Sequence, residues 1–229
     1  MRIIAVQTSG LCRNIRYKAC PIWKLTDDTL KCLGEKFPTF DQKSCLLKSV
    51  AVNALYSTNV LAIARMADHV CETMGKHQEN KDKPELRVEA IARLQIGTDK
   101  YRCFPSFASK FCHFFVDVGD DKFPIYDEAA RMTVKLHLGK IENPYPAFCA
   151  QIHELKASAN FTCLLSELDR YLWIRGLYVK YKKSGRKINK EIMDYFNGAK
   201  TDEEKKHTLE SLLNENNGGP GSTSGHLQS

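Results

Sequence analysis

Apolar residues recur along most of this chain at three- and four-residue intervals, and almost no segment alternates with a period of two. That spacing predicts helices nearly throughout. Leu25 to Leu33 reads as a short helix capped by Thr26, and Pro38-Thr39-Phe40-Asp41 is a helix-start signal. The periodic stretch that follows runs to about Met74, with Leu47, Val50 and Ala54, then Val60, Ile63, Ala67 and Val70, marking inward faces. Ser57-Thr58-Asn59 breaks it into two helices. Pro84 suits a first helical turn, and Val88, Ile91 and Leu94 predict a short amphipathic helix stopped by Gly97. From Ser106 to Val118 a helix gathers Phe107, Phe111, Phe114, Phe115 and Val118 on one face.

Gly119-Asp120-Asp121 then reads as a turn and Phe123 to Tyr126 as an extended segment. Asp127 is placed to cap a helix that ends at Gly139. Pro144 to Lys156 and Phe161 to Val179 read as two further helices, the second with Leu164, Leu165, Leu168 and Leu172 inward. Asn189 caps a short helix to Phe196, and Thr201 opens another with acids in its first turn, as the helix dipole prefers. Met1 to Val6 is the one candidate strand. The expected fold is an all-α bundle with a short N-terminal strand. Its expected parts are an N-terminal segment (1–38), a helical domain (39–198), a C-terminal helix (199–213) and a Gly/Ser/Asn-rich disordered tail (214–229).

Composition changes this picture little. The chain has 229 residues and a net charge of +7, which favours an anionic partner. Its nine cysteines include no C-x-x-C pair, so zinc-ribbon and finger sites are excluded, and no metal or organic cofactor is expected. The odd cysteine count argues for reduced thiols in a cytosol. No apolar run approaches the ~20 residues of a membrane span, and the expected location is cytoplasmic. Gly75 to Lys83 is a polar connector.

Candidate chemistry concentrates between Phe104 and Gly139. Lys110 lies at the flank of the phenylalanine face, its amine expected to look outward, and Asp127 follows 17 residues later across a turn. The two can converge on one cleft. His113 and Arg131 each stand one turn beyond, and either can reach a nucleic-acid backbone. Tyr56 and His69 read as satisfied residues at the core edge. Trp173 and Tyr171 read as core aromatics, with a stacking wall for an extruded base as a minority role. A basic segment gathers Lys180, Lys182, Lys183, Arg186, Lys187 and Lys190 with Tyr178 and Tyr181 interleaved, a mixture suited to phosphates.

Phe104-Pro105-Ser106-Phe107-Ala108-Ser109-Lys110 resembles the LPGVGTK hairpin of helix-hairpin-helix DNA glycosylases, and Phe123-Pro124-Ile125-Tyr126-Asp127 through Arg131 is similar to their FPVDTHVxR segment. Asn53–Val60 and Leu168–Tyr178 are similar to segments of little-characterised bacterial proteins with an 8-oxoguanine-glycosylase-like fold. The resemblance covers roughly residues 40 to 180. It implies a base-excision glycosylase with a Schiff-base lysine at Lys110 and a catalytic aspartate at Asp127. It also implies duplex DNA as partner, contacted at Ser106, Ala108, Ser109 and Arg131; the charge of the basic segment adds Lys182, Lys183, Arg186 and Lys187 as candidate contacts. Ser106 and Ala108 stand where the family pattern has glycines that let backbone N–H groups approach a phosphate. Two other functions fit such a chain: a non-catalytic binder of DNA or protein on the same fold, and a bacterial defence effector acting on nucleosides or nucleotides.

The tail carries no apolar periodic residue. Deleting Gly218 to Ser229 should leave the melting temperature unchanged, which calorimetry checks; a fall of many degrees would contradict the tail reading.

Overall fold

The structure, a computed structural model, describes residues 21–76, 83–117, 122–158, 164–184 and 188–198. The expected strand at Met1–Val6, the turn at Gly119–Asp121, the helix from Thr201 and the tail lie outside the described residues, as do Arg186 and Lys187. Among the described residues the fold is helical. In chain order the helices are α1 (Pro21–Lys36), α2 (Gln42–Tyr56), α3 (Ile63–Lys76), α4 (Pro84–Ala92), α5 (Pro105–Phe115), α6 (Glu128–Leu138), α7 (Tyr145–Ser158), α8 (Leu165–Ser184) and α9 (Lys190–Gly198). Between α4 and α5 a two-stranded antiparallel ribbon pairs β1 (Arg93–Gln95) with β2 (Tyr101–Cys103). The all-α expectation holds, with this ribbon as its one addition. Among the described residues no helix is long and apolar enough to cross a membrane.

The packing is organised around α5. Eight of its eleven residues are buried, because α1, α2 and α4 all pack against it. Phe107 and Phe111 are fully buried, and Phe111 meets Phe115 at 5.2 Å between ring centroids and Phe40 at 6.3 Å. A helix enclosed in this way needs an apolar surface nearly all round, and PSFASKFCHFF supplies it except at Ser106, Ser109, Lys110 and His113, each of which finds a hydrogen-bond partner. The helix ends at Phe115, before the expected Val118. Asp117 takes a left-handed φ of 46° there, and its carboxylate pairs with the buried Arg87 of α4 at 3.1 Å.

The second half of the chain is joined by α6 lying on α8, the most extensive helix pair. Gly176 makes that approach possible: a Cβ at this position would lie 2.1 Å from the Ala129 carbonyl oxygen. Thr133 adds a hydrogen bond across the pair, its hydroxyl donating to Leu172 O at 2.8 Å.

Several expectations are corrected. Helix α1 starts at Pro21, so Thr26 is a buried mid-helix residue and no cap. Helix α2 is turned over relative to its pattern: Leu47 and Val50 are each 45% exposed, and Ala54 is exposed, while Ser44, Cys45, Lys48 and Ser49 are buried. Lys48 accounts for this orientation. Its amine donates to Thr39 O at 2.9 Å and lies 4.2 Å from the centre of the Phe40 ring. Helix α4 stops at Ala92, because Arg93–Gln95 pairs with Tyr101–Cys103 rather than continuing to Gly97. Helix α8 begins at Leu165 and runs on to Ser184, leaving Leu164 outside it and 56% exposed. The break at Ser57–Asn59 is confirmed and is built on Asn53. Its side-chain oxygen accepts from the Thr58 hydroxyl at 2.8 Å and from Val60 N at 2.9 Å, while its amide donates to Val60 O at 3.1 Å.

Gly176→Ala should therefore destabilise the protein by about 1–3 kcal/mol or more, the range for overpacking a close contact. Gly75→Ala, in a helix with nothing within 4 Å of the new methyl, should stabilise or leave stability unchanged. Urea titration of both variants checks the contrast.

Candidate functional site

Lys110 lies in the second turn of α5, inside the molecule rather than at a solvent-facing flank. It is 3% exposed, where the sequence placed its amine outward. The correction follows from the enclosure of α5, which leaves the helix no solvent-facing flank. The side chain runs back toward the N-terminus of α5, as long helical side chains do, and its Nζ donates to Ser106 Oγ at 2.8 Å. Asp127 Oδ2 lies 3.7 Å from the same nitrogen. The Tyr56 ring centre is 5.7 Å away. The two polar residues singled out in the sequence thus meet.

Asp127 is at once a cap and an ion-pair partner. Its backbone is extended, and Oδ1 accepts the Ala130 amide at 2.9 Å, closing the first turn of α6. Oδ2 is left for Lys110. Burial pushes the Lys110 amine below its ordinary value of 10.5, and the charges of Asp127 and then Asp169 oppose that fall. Desolvation disfavours the ammonium and the carboxylates favour it; burial is the larger effect.

The extended segment before Asp127 is held by three groups. Asp169 of α8, 4% exposed, accepts the Ile125 amide with both carboxylate oxygens at 3.2 and 3.3 Å. Ser109 Oγ accepts the Tyr126 amide at 3.0 Å. His113 Nδ1 lies 2.9 Å from Phe123 O and so carries the proton and donates there, and it is 3.7 Å from Asp169 Oδ2. These contacts fix the register that brings Asp127 opposite Lys110.

Beside the pair is a small space bounded by Tyr56, Ile125, Asp127, Ala130, Asp169 and Trp173. Trp173 is half-buried and meets Trp23 at 5.0 Å between centroids, and Trp23 in turn meets Tyr56 at 5.3 Å. Tyr56 donates its hydroxyl to Asp27 Oδ1 at 2.6 Å. Ile125 and Asp169 are shared with a larger cavity of about 570 Å³, to which Asp27, Lys31, His113 and Arg170 contribute polar groups. A volume in that range suits a small organic ligand.

The other residues implied by the family resemblance divide. Ser106 is half-buried and engaged by Lys110, while Ala108 and Ser109 are fully buried. The Ala108 and Ser109 side chains are enclosed in the packing around α5. Arg131 is half-buried with its guanidinium 5.0 Å from the Tyr126 ring centre, and its Nε has no hydrogen-bond partner among the described residues. His113 is part-buried and makes the contact with Phe123 O described above. Lys182 and Lys183 are exposed on the last turn of α8, and the Lys182 amine is 5.4 Å from the Tyr178 ring. Lys180 pairs with Glu128 at 2.6 Å. His69 is satisfied by Ala90 O at 2.9 Å, and Tyr171 by His137 at 2.8 Å, as the sequence reading expects of core-edge and core residues. Among the described residues no cluster of three or more His, Cys, Asp or Glu side chains is arranged to hold a metal ion.

Sequence reasoning missed Asp169 and Tyr56 as neighbours of the pair.

A family model described as HI_0787_N, N-terminal domain, matches residues 13–119. An uncharacterised protein of Haemophilus influenzae is 31% identical over 132 residues, 54% of this chain and 62% of that relative. The chain therefore spans less than two thirds of the relative's length. No solved structure matches. The domain model ends between α5 and the extended segment, so it includes Lys110 and stops short of Asp127.

The opposed influences on Lys110 have a measurable consequence. Removing the carboxylate charge by Asp127→Asn removes an influence that raises the amine's pKa, so the Lys110 titration should move further below 10.5 than in the wild type. Heteronuclear NMR titration of the lysine side chain reads this directly. An unchanged or raised midpoint would contradict the pairing.

Proposed function

We propose that the chain is a DNA base-excision glycosylase with lyase activity at the resulting abasic site, Lys110 being the nucleophile and Asp127 the activating carboxylate. One observation carries this reading: a buried lysine amine and a carboxylate from two successive helices stand 3.7 Å apart, with Asp127 lining a small space bounded also by Tyr56 and Trp173. It is supported by the resemblance of the two segments that bear them to the glycosylase family.

The chemistry asks three things of such a site. The nucleophile must be a neutral amine, and burial favours that form of Lys110. Positive charge develops on the sugar as the glycosidic bond opens, and a fixed carboxylate stabilises it. The target nucleotide must leave the base stack to reach the amine, and the cavity of about 570 Å³, which shares Ile125 and Asp169 with the small space at Asp127, offers room for the extruded base. Attack of Nζ on the anomeric carbon then releases the base and leaves a Schiff base, from which β-elimination cleaves the strand.

A second reading is favoured by the placement of Ala108 and Ser109. With these residues internal, and the Ser106 hydroxyl engaged by Lys110, the family's phosphate grip is altered. In that reading the same pair acts on a free nucleoside or nucleotide held in the cavity.

The experiment is release of base from a panel of lesion duplexes and free nucleosides, with borohydride present to trap the Schiff base. A covalent protein–DNA adduct should form with the wild type and disappear in Lys110→Gln. Asp127→Asn keeps an oxygen to cap α6 and should fold normally, yet lose ~10²–10³ in rate, as removal of a positioned electrostatic group does. Turnover by Asp127→Asn at the wild-type rate would end the mechanism. Release from nucleosides alone would select the second reading, and no release from any substrate would leave a non-catalytic binder.

A further inference from the structure

We propose that the β1–β2 ribbon is a phosphate-backbone contact that holds nucleic acid next to Lys110. The inference rests on the DNA reading above and supplies it with a grip outside the segment where the family pattern has glycines.

Four cations surround this short ribbon, and all are exposed: Arg93 on β1, Arg102 on β2, Lys100 in the turn and Arg65 of α3 at the tip. None of the four takes part in an ion pair among the described residues. One acid, Asp99, lies within the ribbon itself. Their positions are set by packing rather than by charge. The Arg93 guanidinium sits 4.4 Å from the Tyr101 ring centre, and that of Arg102 is 5.2 Å from Phe104. Arg65 donates to Ile96 O at 3.4 Å. Guanidinium groups stacked on rings and not neutralised by carboxylates keep their edge N–H donors for phosphate oxygens.

The outer surface of the ribbon also exposes apolar groups at its far end. Tyr101 is 49% exposed and Ile96 43%, whereas Leu94, on the inward face, is 2% exposed. A ring beside unpaired arginines suits stacking on a base of a locally opened strand. An acidic protein surface would match the charge but gives no use for this arrangement, so a nucleic acid is the better occupant. A two-stranded ribbon is also narrow enough to enter a major groove.

Its place in the fold ties the ribbon to the site. Strand β2 runs through Phe104 directly into α5, and the Phe104 amide is anchored to Ala92 O at 2.8 Å. The Lys110 side chain folds back to Ser106 in the first turn of α5. The amine is therefore carried to the same end of α5 from which the ribbon projects. A strand held on the ribbon is delivered to the end of the helix that bears the nucleophile.

The test is salt-dependent binding of a fluorescent duplex containing a stable abasic-site analogue, measured by anisotropy for the wild type and for the quadruple Arg65→Gln, Arg93→Gln, Lys100→Gln, Arg102→Gln variant. At about −0.9 per phosphate contact, losing all four should flatten the log–log slope by about three units or more. The thermal melt of the variant verifies folding. As a measurement independent of the variant, saturating duplex should slow iodoacetamide alkylation of Cys103, which is exposed on β2, several-fold in the wild type, read on its peptide by mass spectrometry. Wild-type binding with an unchanged slope in the folded variant, or an unprotected Cys103, overturns this inference and leaves the glycosylase reading standing. A wild type that neither binds this duplex nor is trapped by borohydride on any duplex of the lesion panel brings down both.

Discussion

Among the described residues, the candidate site depends on the burial of one lysine amine in the middle of the helix that α1, α2 and α4 enclose. Removing an ammonium from water costs several kcal/mol even after relaxation. A carboxylate at about 4 Å returns about 4 kcal/mol at the effective dielectric of a protein. At Lys110 burial is the larger of the two, so its ammonium gives up the proton more readily than that of an ordinary lysine. Without Asp127 the balance tips toward the free amine. Without the burial, Lys110 would be an ordinary surface cation.

The fold spends three separate groups on keeping Asp127 in place. Asp169 reaches across from α8 to hold the Ile125 amide, Ser109 holds the Tyr126 amide, and His113 holds the Phe123 carbonyl. Two of these come from α5 itself, one and three residues from Lys110. The helix that carries the amine thus also sets the register of the segment that carries the carboxylate, and a shift of one moves both. Gly176 serves the same end at a distance, since its missing Cβ lets α8 approach the first turn of α6 closely enough for Asp169 to reach.

Much of this was legible in the sequence, and the failures share a cause. The helices, the break at Ser57–Asn59 and the juxtaposition of Lys110 with Asp127 follow from local signals: periodicity, caps and turn residues. What could not be read was which side of a helix faces the core when both sides are partly apolar. Helix α2 carries Leu47 and Val50 on one side and Cys45 and Val52 on the other, and the partners of Lys48 decided the outcome. Lys110 was expected to face outward because an isolated helix offers it a flank, and only the packing of α1, α2 and α4 removes that flank. The ribbon was missed because three-residue strands show too little alternation to separate from a helix end. Asp169 was missed because its partners lie 44 residues away, on a backbone amide and not in any pattern of side chains.

Asp127 shows why the modest and the chemical readings of a residue need not compete. An aspartate before a helix is usually a cap, and here Asp127 is one, through Oδ1 and the Ala130 amide. The cap fixes the side chain, because satisfying that amide leaves the carboxylate few rotamers, and the chosen rotamer points Oδ2 at Lys110. A free side chain would have to give up rotamer entropy each time it faced the amine. Capping has already met that cost in forming the helix. The charge at Oδ2 is therefore preorganised by an ordinary structural device, and the same geometry that ends the extended segment aims the carboxylate at the amine.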